Sequence, residues 1–234
     1  AFHYLGTYQT EEEAAKAPND PNAQGRKKHA GDAIFEDVNN DGQLDSKDMI
    51  FMGYVRPDKV GGIINTLKYK GLTVRIVMDW AMGHVIDNGF KGQIMGSSRN
   101  NNNAIKEAMT NSWQSANDGS KYPKYTVQSD YDYQYRNHMR WDNQIGSSAS
   151  GSTNNSLYFS KGDYLAFREV SLSYMLPLSW IRKMKLSAVE VFAGAYNIGY
   201  IKKYDGMFPE IYTGVDYGIY PRPRQYNMGV KINF

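Results

Sequence analysis

The sequence contains no cysteine, and this absence excludes disulfides, thiolate metal sites and a cysteine nucleophile. It also has no apolar run near the ~20 residues that a membrane-spanning helix needs. Its formal charge of +3, from 27 basic and 24 acidic residues, is small, and the basic residues are scattered, which argues against a nucleic-acid-binding protein. It has no signal peptide and begins at Ala1 without a Met, so we expect it to begin inside a longer protein.

Aromatic residues and glycine are abundant, with 19 Tyr, 9 Phe, 4 Trp and 22 Gly in 234 residues. The mean hydropathy of −0.62 on its own suits a soluble protein. A transmembrane β-barrel, however, alternates apolar and polar residues and averages to a similar value. The pattern along the chain therefore has to decide between these two classes.

The clearest pattern is a strand at 72–82, with period-2 alternation over eleven residues, about the length of a tilted membrane-spanning strand. Its apolar parity consists of Leu72, Val74, Ile76, Met78, Trp80 and Met82. Four further strands are predicted at 60–69, 165–174, 187–197 and 225–234. The two-residue Lys70-Gly71 turn is a hairpin signal between the first two strands. The strand aromatics Trp80, Tyr174 and Phe234 fit an interfacial girdle.

The connections between these strands are unequal in length. The Lys70-Gly71 turn and the 175–186 connection are short, whereas 83–162 and 198–223 are long. Long connections are unusual in a compact soluble domain and typical of the outer side of a membrane barrel. The sequence therefore predicts an extracellular loop segment over 1–59 and one incomplete all-β barrel domain over 60–234.

Residues 37–48 match a calcium-binding loop, because calcium prefers several oxygen ligands around a sharp turn. Gly42 stands at the turn position, and Asp48 replaces the usual last Glu. The six predicted ligands are Asp37, Asn39, Asp41, Gln43 through its carbonyl, Asp45 and Asp48. The sequence predicts a structural calcium ion here, although two long flanking helices are lacking. The alternative is an Asx-rich turn stabilised by its own hydrogen bonds.

A group of aromatic residues in the long connection is the candidate substrate or partner surface. Aromatic rings stack on sugars and bind protein partners, but they also pack the small core of a long loop. The candidates are Trp113, Tyr122, Tyr131, Tyr133, Tyr135 and Trp141. The four histidines lack metal-site spacing, and no hydrolase or phosphate-binding motif occurs, so we predict that the chain is not an enzyme.

Several motifs along the chain resemble those of one family, the SusC/RagA-type TonB-dependent outer-membrane transporters of the Bacteroidetes. Residues 31–42 are similar to its GDIKYKDVNGDG signature, and 162–177 are close to GSYLRLRNVTLGYTLP. Further similar motifs lie at 6–13, 111–113, 122–124, 191–198, 220–226 and 232–234. The departures are Lys124, Ala166 and Tyr196, which stand where the family has Arg, Arg and Gln.

This resemblance implies a 22-stranded antiparallel barrel with a plug outside this chain, a SusD-like lipoprotein cap and a location in the Gram-negative outer membrane. It further implies import of oligosaccharides or peptides, with TonB acting through the plug. Five strands cannot close a barrel. Because lipid does not tolerate open sheet edges, 60–69 and 225–234 are expected to pair with strands of another chain or segment.

Two alternatives remain open from the residues. One is a soluble, calcium-stiffened β-sandwich that binds carbohydrate, which should be stable in buffer without detergent. The other is a glycoside hydrolase fragment, for which the Asp130 and Asp132 pair is a weak signal because many acidic pairs satisfy it.

Overall fold

The computed structural model describes residues 1–98, 106–127, 132, 136 and 155–234. In chain order its elements are β1 (Tyr4–Thr7), α1 (Glu11–Ala14), β2 (Ala33–Phe35), β3 (Lys59–Tyr69), β4 (Leu72–Met82), β5 (Val85–Asp87), α2 (Gly89–Gly96), β6 (Ser97–Ser98), α3 (Lys106–Asn111), β7 (Thr126–Val127), β8 (Phe159–Lys161), β9 (Tyr164–Met175), α4 (Leu178–Ile181), β10 (Ala188–Lys202) and β11 (Gln225–Asn233). Short 3₁₀ turns lie at Pro21–Ala23, Ser46–Asp48, Ser156–Tyr158 and Arg182–Met184. Among the described helices none is long and apolar enough to cross a membrane.

The five long strands form one sheet in the order β11-β10-β9-β4-β3. Every neighbouring pair is antiparallel, so the chain runs up and down through the sheet. The prediction of five antiparallel strands is confirmed, and β4 has the predicted bounds, whereas β10 continues to Lys202. The other described sheets have two strands each, so the strands do not form the two stacked sheets of the β-sandwich alternative.

At one end of the sheet, short connections join successive long strands, and the β3–β4 turn is the tightest of them. Lys70 and Gly71 have φ values of +46° and +84°, as a two-residue hairpin turn requires. A Cβ on Gly71 would lie 2.8 Å from the Met175 carbonyl oxygen, so the turn needs glycine for space as well as for backbone angle. The β9–β10 connection contains α4 and the 3₁₀ turn Arg182–Met184, which is followed by Lys185 at φ +57°.

The chain divides into two compact units. The loop unit comprises Ala1–Gly53, Val85–Ser160 and Ile211–Gly218; the sheet unit comprises Tyr54–His84, Lys161–Glu210 and Ile219–Phe234. Each unit is thus assembled from separate stretches of sequence. The predicted division into 1–59 and 60–234 instead follows chain order and stays a prediction.

Small apolar clusters hold the loop unit together. In one, Ala33, Phe35 and Leu44 are buried and Phe2 and Tyr4 pack against them. Edge-to-face contacts join Phe35 to both of those rings. The sheet unit buries Ala81, Tyr164 and Ala166 beneath Tyr200 near the ends of β4, β9 and β10.

Candidate functional site

One face of the five-stranded sheet is a continuous apolar surface. Strand register places Leu67, Val74, Leu172, Ala193 and Met228 in a single row across all five strands. The residues remain open to the surroundings, with Leu67 61%, Leu172 47% and Met228 87% exposed. An exposed apolar surface this continuous is unfavourable in water and typical of a lipid-facing barrel wall.

The opposite face is more polar, although Ile64, Val77 and Phe192 also lie on it. The neighbouring row consists of Thr66, Arg75, Ser171, Gly194 and Asn227, again one residue from each strand. Four of these five residues, all except Gly194, line a shallow depression of about 390 Å³. This face is therefore suited to contact water or a polar molecule.

The charge at the centre of the polar face is balanced locally. Glu169 accepts a hydrogen bond of 2.8 Å from the Ser171 hydroxyl, and its other oxygen lies 3.4 Å from Arg75 Nε. A Cβ on Gly194 would lie 2.6 Å from the Asn227 side-chain oxygen. The small residue therefore leaves room for the polar side chains beside it.

At the end of the sheet with long connections, five polar side chains of the sheet unit form an ion network. The Arg168 guanidinium contacts both oxygens of Asp79, at 2.5 and 2.8 Å, and Glu210 Oε1 at 2.5 Å. The Tyr200 hydroxyl donates to Glu210 Oε1 at 2.6 Å, and Arg222 Nη2 lies 3.1 Å from Oε2. Because the Glu210 side chain is 1% exposed, this network fixes the segment after β10 against the strands.

A break in strand register aims Arg168 into this network. Val77 lies opposite Glu169 but Met78 lies opposite Phe167, so Arg168 has no counterpart on β4. Such a bulge re-aims the side chain of the extra residue. Sequence reasoning missed Arg168 and Glu210, and the available signal was the loss of alternation around residue 168.

The described members of the predicted aromatic surface pack inside the loop unit and do not form a surface together. Tyr122 is 2% exposed, lies in a cluster with Met95, Ala108 and Tyr158, and donates a hydrogen bond of 2.5 Å to Glu107. Its ring thus packs the core of the loop unit, the alternative that the sequence left open, and is not presented to a ligand. The remaining candidates at Tyr131, Tyr133, Tyr135 and Trp141 lie outside the described residues.

Trp113 is half-buried and also has a packing role. Its ring lies so close to Gly31 that a Cβ there would be 2.6 Å from an indole carbon. Gly31 has φ +87°, so both space and backbone angle favour glycine at this contact. The indole Nε1 is buried without a hydrogen-bond partner among the described residues.

The loop at 37–48 is closed by hydrogen bonds from its own backbone. Asp37 accepts from the amides of Asp41 and Gly42, at 3.2 and 2.8 Å. The buried Asp48 accepts from Val38 at 3.0 Å and from Asp45 at 2.8 Å, which joins the two ends of the loop. These are the contacts of the Asx-rich turn.

The carboxylates at positions 5 and 9 face a cation of the chain itself. Lys47 Nζ lies 3.5 Å from Asp41 and 3.3 Å from Asp45. The Gln43 amide, which donates to Asp41 at 2.9 Å, lowers the pKa of that carboxyl, with smaller contributions from Asn39 and Lys47. The oxygen chemistry fits calcium, but within the described part of the chain no three acidic or histidine side chains converge on one point.

Comparison with known proteins identifies the relatives of the chain. No protein-family model matches it. It is 24% identical over 245 residues to TonB-dependent receptor P3 of Formosa agariphila, covering 100% of this chain and 22% of the relative. TonB-dependent receptor P26 of the same organism is 24% identical over 244 residues, covering 99% and 22%. The chain thus spans about a fifth of the length of these curated relatives.

Solved structures show the same fold. The RagAB peptide transporter matches with a TM-score of 0.69 at 18% identity. The RagAB peptide importer in its closed-closed state matches with a TM-score of 0.65 at 20% identity. Each match covers 100% of this chain and 22% of the solved chain.

An antiparallel sheet with one apolar and one more polar face, matching these structures over the whole chain, has the fold of a segment of an outer-membrane β-barrel. The predicted location in the Gram-negative outer membrane is confirmed. Over its whole length the chain is similar to TonB-dependent receptors, and its resemblance to the SusC/RagA-type transporters is confirmed. Its relatives are receptors and transporters and are not enzymes.

Proposed function

We propose that the complete protein imports large nutrients, peptides or oligosaccharides, across the outer membrane. The observation that carries this proposal is the similarity of the whole chain to TonB-dependent receptors and to a peptide transporter. Of the two substrate classes, the similarity to the RagAB peptide transporter favours peptides. Polar side chains in the row of Thr66, Arg75 and Ser171 offer hydrogen-bonding groups that suit either substrate class.

The mechanism is steric and conformational. The polar face of the sheet forms part of the lumen wall, and the apolar face contacts lipid. The network around Glu210 keeps one long connection in place at the end of the strands. Energy enters through a TonB-linked plug outside residues 1–234, and a SusD-like lipoprotein covers the outer mouth, as the family resemblance implies.

Opposite-face substitutions test the transport proposal. Ser171→Trp places a large ring in the polar depression, whereas Val170→Trp places the same ring on the apolar face beside it. In a bacterium that produces the full-length protein, we expect reduced uptake of labelled peptides or oligosaccharides with Ser171→Trp and normal uptake with Val170→Trp. Unchanged uptake of both substrate classes after deletion of the gene would refute the proposal.

The remaining strands of the barrel are proposed partners of this sheet. Among the described residues, the outer edges of β3 and β11 pair with no strand. Open edges are unfavourable in lipid, so both should pair with other strands of the assembled receptor. Hydrogen exchange on that receptor should show protection of the edge-facing amides of β3 and β11. Fast exchange of these amides in a membrane-inserted receptor would contradict the pairing.

Calcium at 37–48 is a second proposal, supported by the ligand spacing and oxygen chemistry. A double Asp37→Ala, Asp41→Ala variant removes two of the six predicted ligands. In the full-length receptor, calcium should protect the wild-type loop from proteolysis, and the variant should lose that protection. Equal protease sensitivity of the wild-type loop with calcium and with chelator would instead favour the self-capped turn.

A further inference from the structure

The short connections and one end of the β11 strand meet at the same end of the sheet. The Met175 amide donates to the Gly71 carbonyl at 2.9 Å, which joins the β3–β4 turn to the end of β9. At the other side, the Ser187 amide donates to the Asn233 carbonyl at 2.9 Å. The connection 176–187 therefore lies at the edge of the apolar face, beside the Lys70-Gly71 turn.

This connection exposes large apolar side chains. Leu178, Trp180 and Met184 are 57%, 64% and 59% exposed, whereas Ile181 is 1% exposed and fixes the segment to the sheet unit. Trp at the end of a lipid-facing wall is typical of the membrane–water interface, where its ring is apolar and its N–H can reach water. The apolar face continues into this group through Tyr174, which lies opposite Leu72.

The same connection carries positive charge, and in the described part of the chain no Asp or Glu side chain forms an ion pair with it. Arg182, Lys183 and Lys185 are exposed and make no ion pair with any other residue that the structure describes. Segment 176–187 contains no Asp or Glu, and neither does 66–74, which contains Lys70. The neighbouring acid, Glu190, lies opposite Lys231 on the polar face and is thus directed away from the apolar face.

We propose that residues 176–187, together with Lys70, form a binding site for anionic phospholipid headgroups in the bilayer leaflet at this end of the barrel. Exposed Leu178 and Trp180 enter the acyl boundary, and the cations contact the phosphates. Unpaired cations beside an apolar wall that already contacts lipid fit a negatively charged membrane surface. The proposal depends on the membrane location alone and not on the imported substrate.

A charge-matched pair of variants tests the site. Arg182→Gln, Lys183→Gln, Lys185→Asn removes three cations, with Asn chosen because residue 185 has a positive φ. The control Arg56→Gln, Lys59→Gln, Lys161→Gln removes one Arg and two Lys, all exposed, from the sheet unit outside the short-connection end. The full-length receptor in detergent is titrated with phosphatidylglycerol or phosphatidylcholine, and bound lipid is counted by native mass spectrometry.

We expect the three-cation variant to bind phosphatidylglycerol roughly 100-fold more weakly at low salt, since each surface cation contributes about fivefold. The control and the binding of phosphatidylcholine should stay unchanged. Equal weakening in both variants, or no preference of the wild type for phosphatidylglycerol, would overturn the proposal. Displacement of the lipid by free glycerol phosphate would also overturn it, because the site would then be one for a soluble anion. If the triple variant does not assemble, Lys183→Gln replaces it, and its binding should be about fivefold weaker than that of the wild type.

Discussion

Replacement of Glu210 by Ala should release the segment that follows β10 from the sheet. The Glu210 side chain is 1% exposed and has Arg168, Arg222 and Tyr200 as partners. Removal of one member of a buried ion pair typically costs about 3–5 kcal/mol. The cost should be smaller here, because Arg168 keeps both contacts with Asp79 and Arg222 is 50% exposed, so water can solvate it.

We therefore expect local opening of 203–210 to become easier by about 2 kcal/mol, which is roughly a 30-fold increase in the opening constant. Hydrogen exchange of the backbone amides of 203–210, measured on the full-length receptor, reports this opening directly. The control is Glu12→Ala, which removes an exposed carboxylate from the loop unit. A change below about threefold with Glu210→Ala, or an equal change in the control, would refute the structural role of the network.

Further predictions concern two turns and the network geometry. Asp118 accepts hydrogen bonds from the amides of Gln114, Ser115 and Ser120, and the first of these contributes most to lowering its pKa to about 2. The ionised carboxylate thus stabilises its turn fully above pH ~4, and this stabilisation is lost as the pH falls towards 2. Asp118→Asn should remove this pH dependence, measured as the hydrogen-exchange rate of the amides in the turn. Gly71→Ala should lower the free energy of unfolding of the receptor in lipid vesicles by about 1–3 kcal/mol, because the new Cβ would meet a carbonyl oxygen at a residue with positive φ. An effect no larger than that of the control Gly62→Ala would contradict this prediction. Arg168→Lys should increase exchange of 203–210 more than Arg222→Lys does, since only Arg168 makes the forked contact with Asp79.

Much of the fold is predictable from the sequence, because period-2 alternation is a local property. The strand at 72–82 is recognised from its own residues, since one parity has to face lipid and the other has to face a polar interior. The Lys70-Gly71 turn is likewise local, because a two-residue hairpin needs positive φ. Family motifs spread from residue 6 to residue 234 supply the class of protein.

The candidate site was less predictable, because its members are distant in sequence. Asp79 and Arg168 are 89 residues apart and meet only when β4 pairs with β9, and Glu210 reaches them from a third segment. No local pattern distinguishes Tyr122, which packs the core of the loop unit, from an aromatic residue open to a ligand. Alternation in single strands likewise does not give the register that aligns Leu67 with Met228 across five strands.

The sequence by itself determined the strands, their order along the chain and the separation of an apolar from a polar face, because these depend on neighbouring residues. Tertiary structure decided where the bulge at Arg168 directs its charge and which carboxylate is buried beside it. It also decided which cations at 182–185 have no acidic partner among the residues that the structure describes. The physical reason is that burial and charge pairing depend on contacts between distant segments, and strand register fixes those contacts only when the whole sheet has formed.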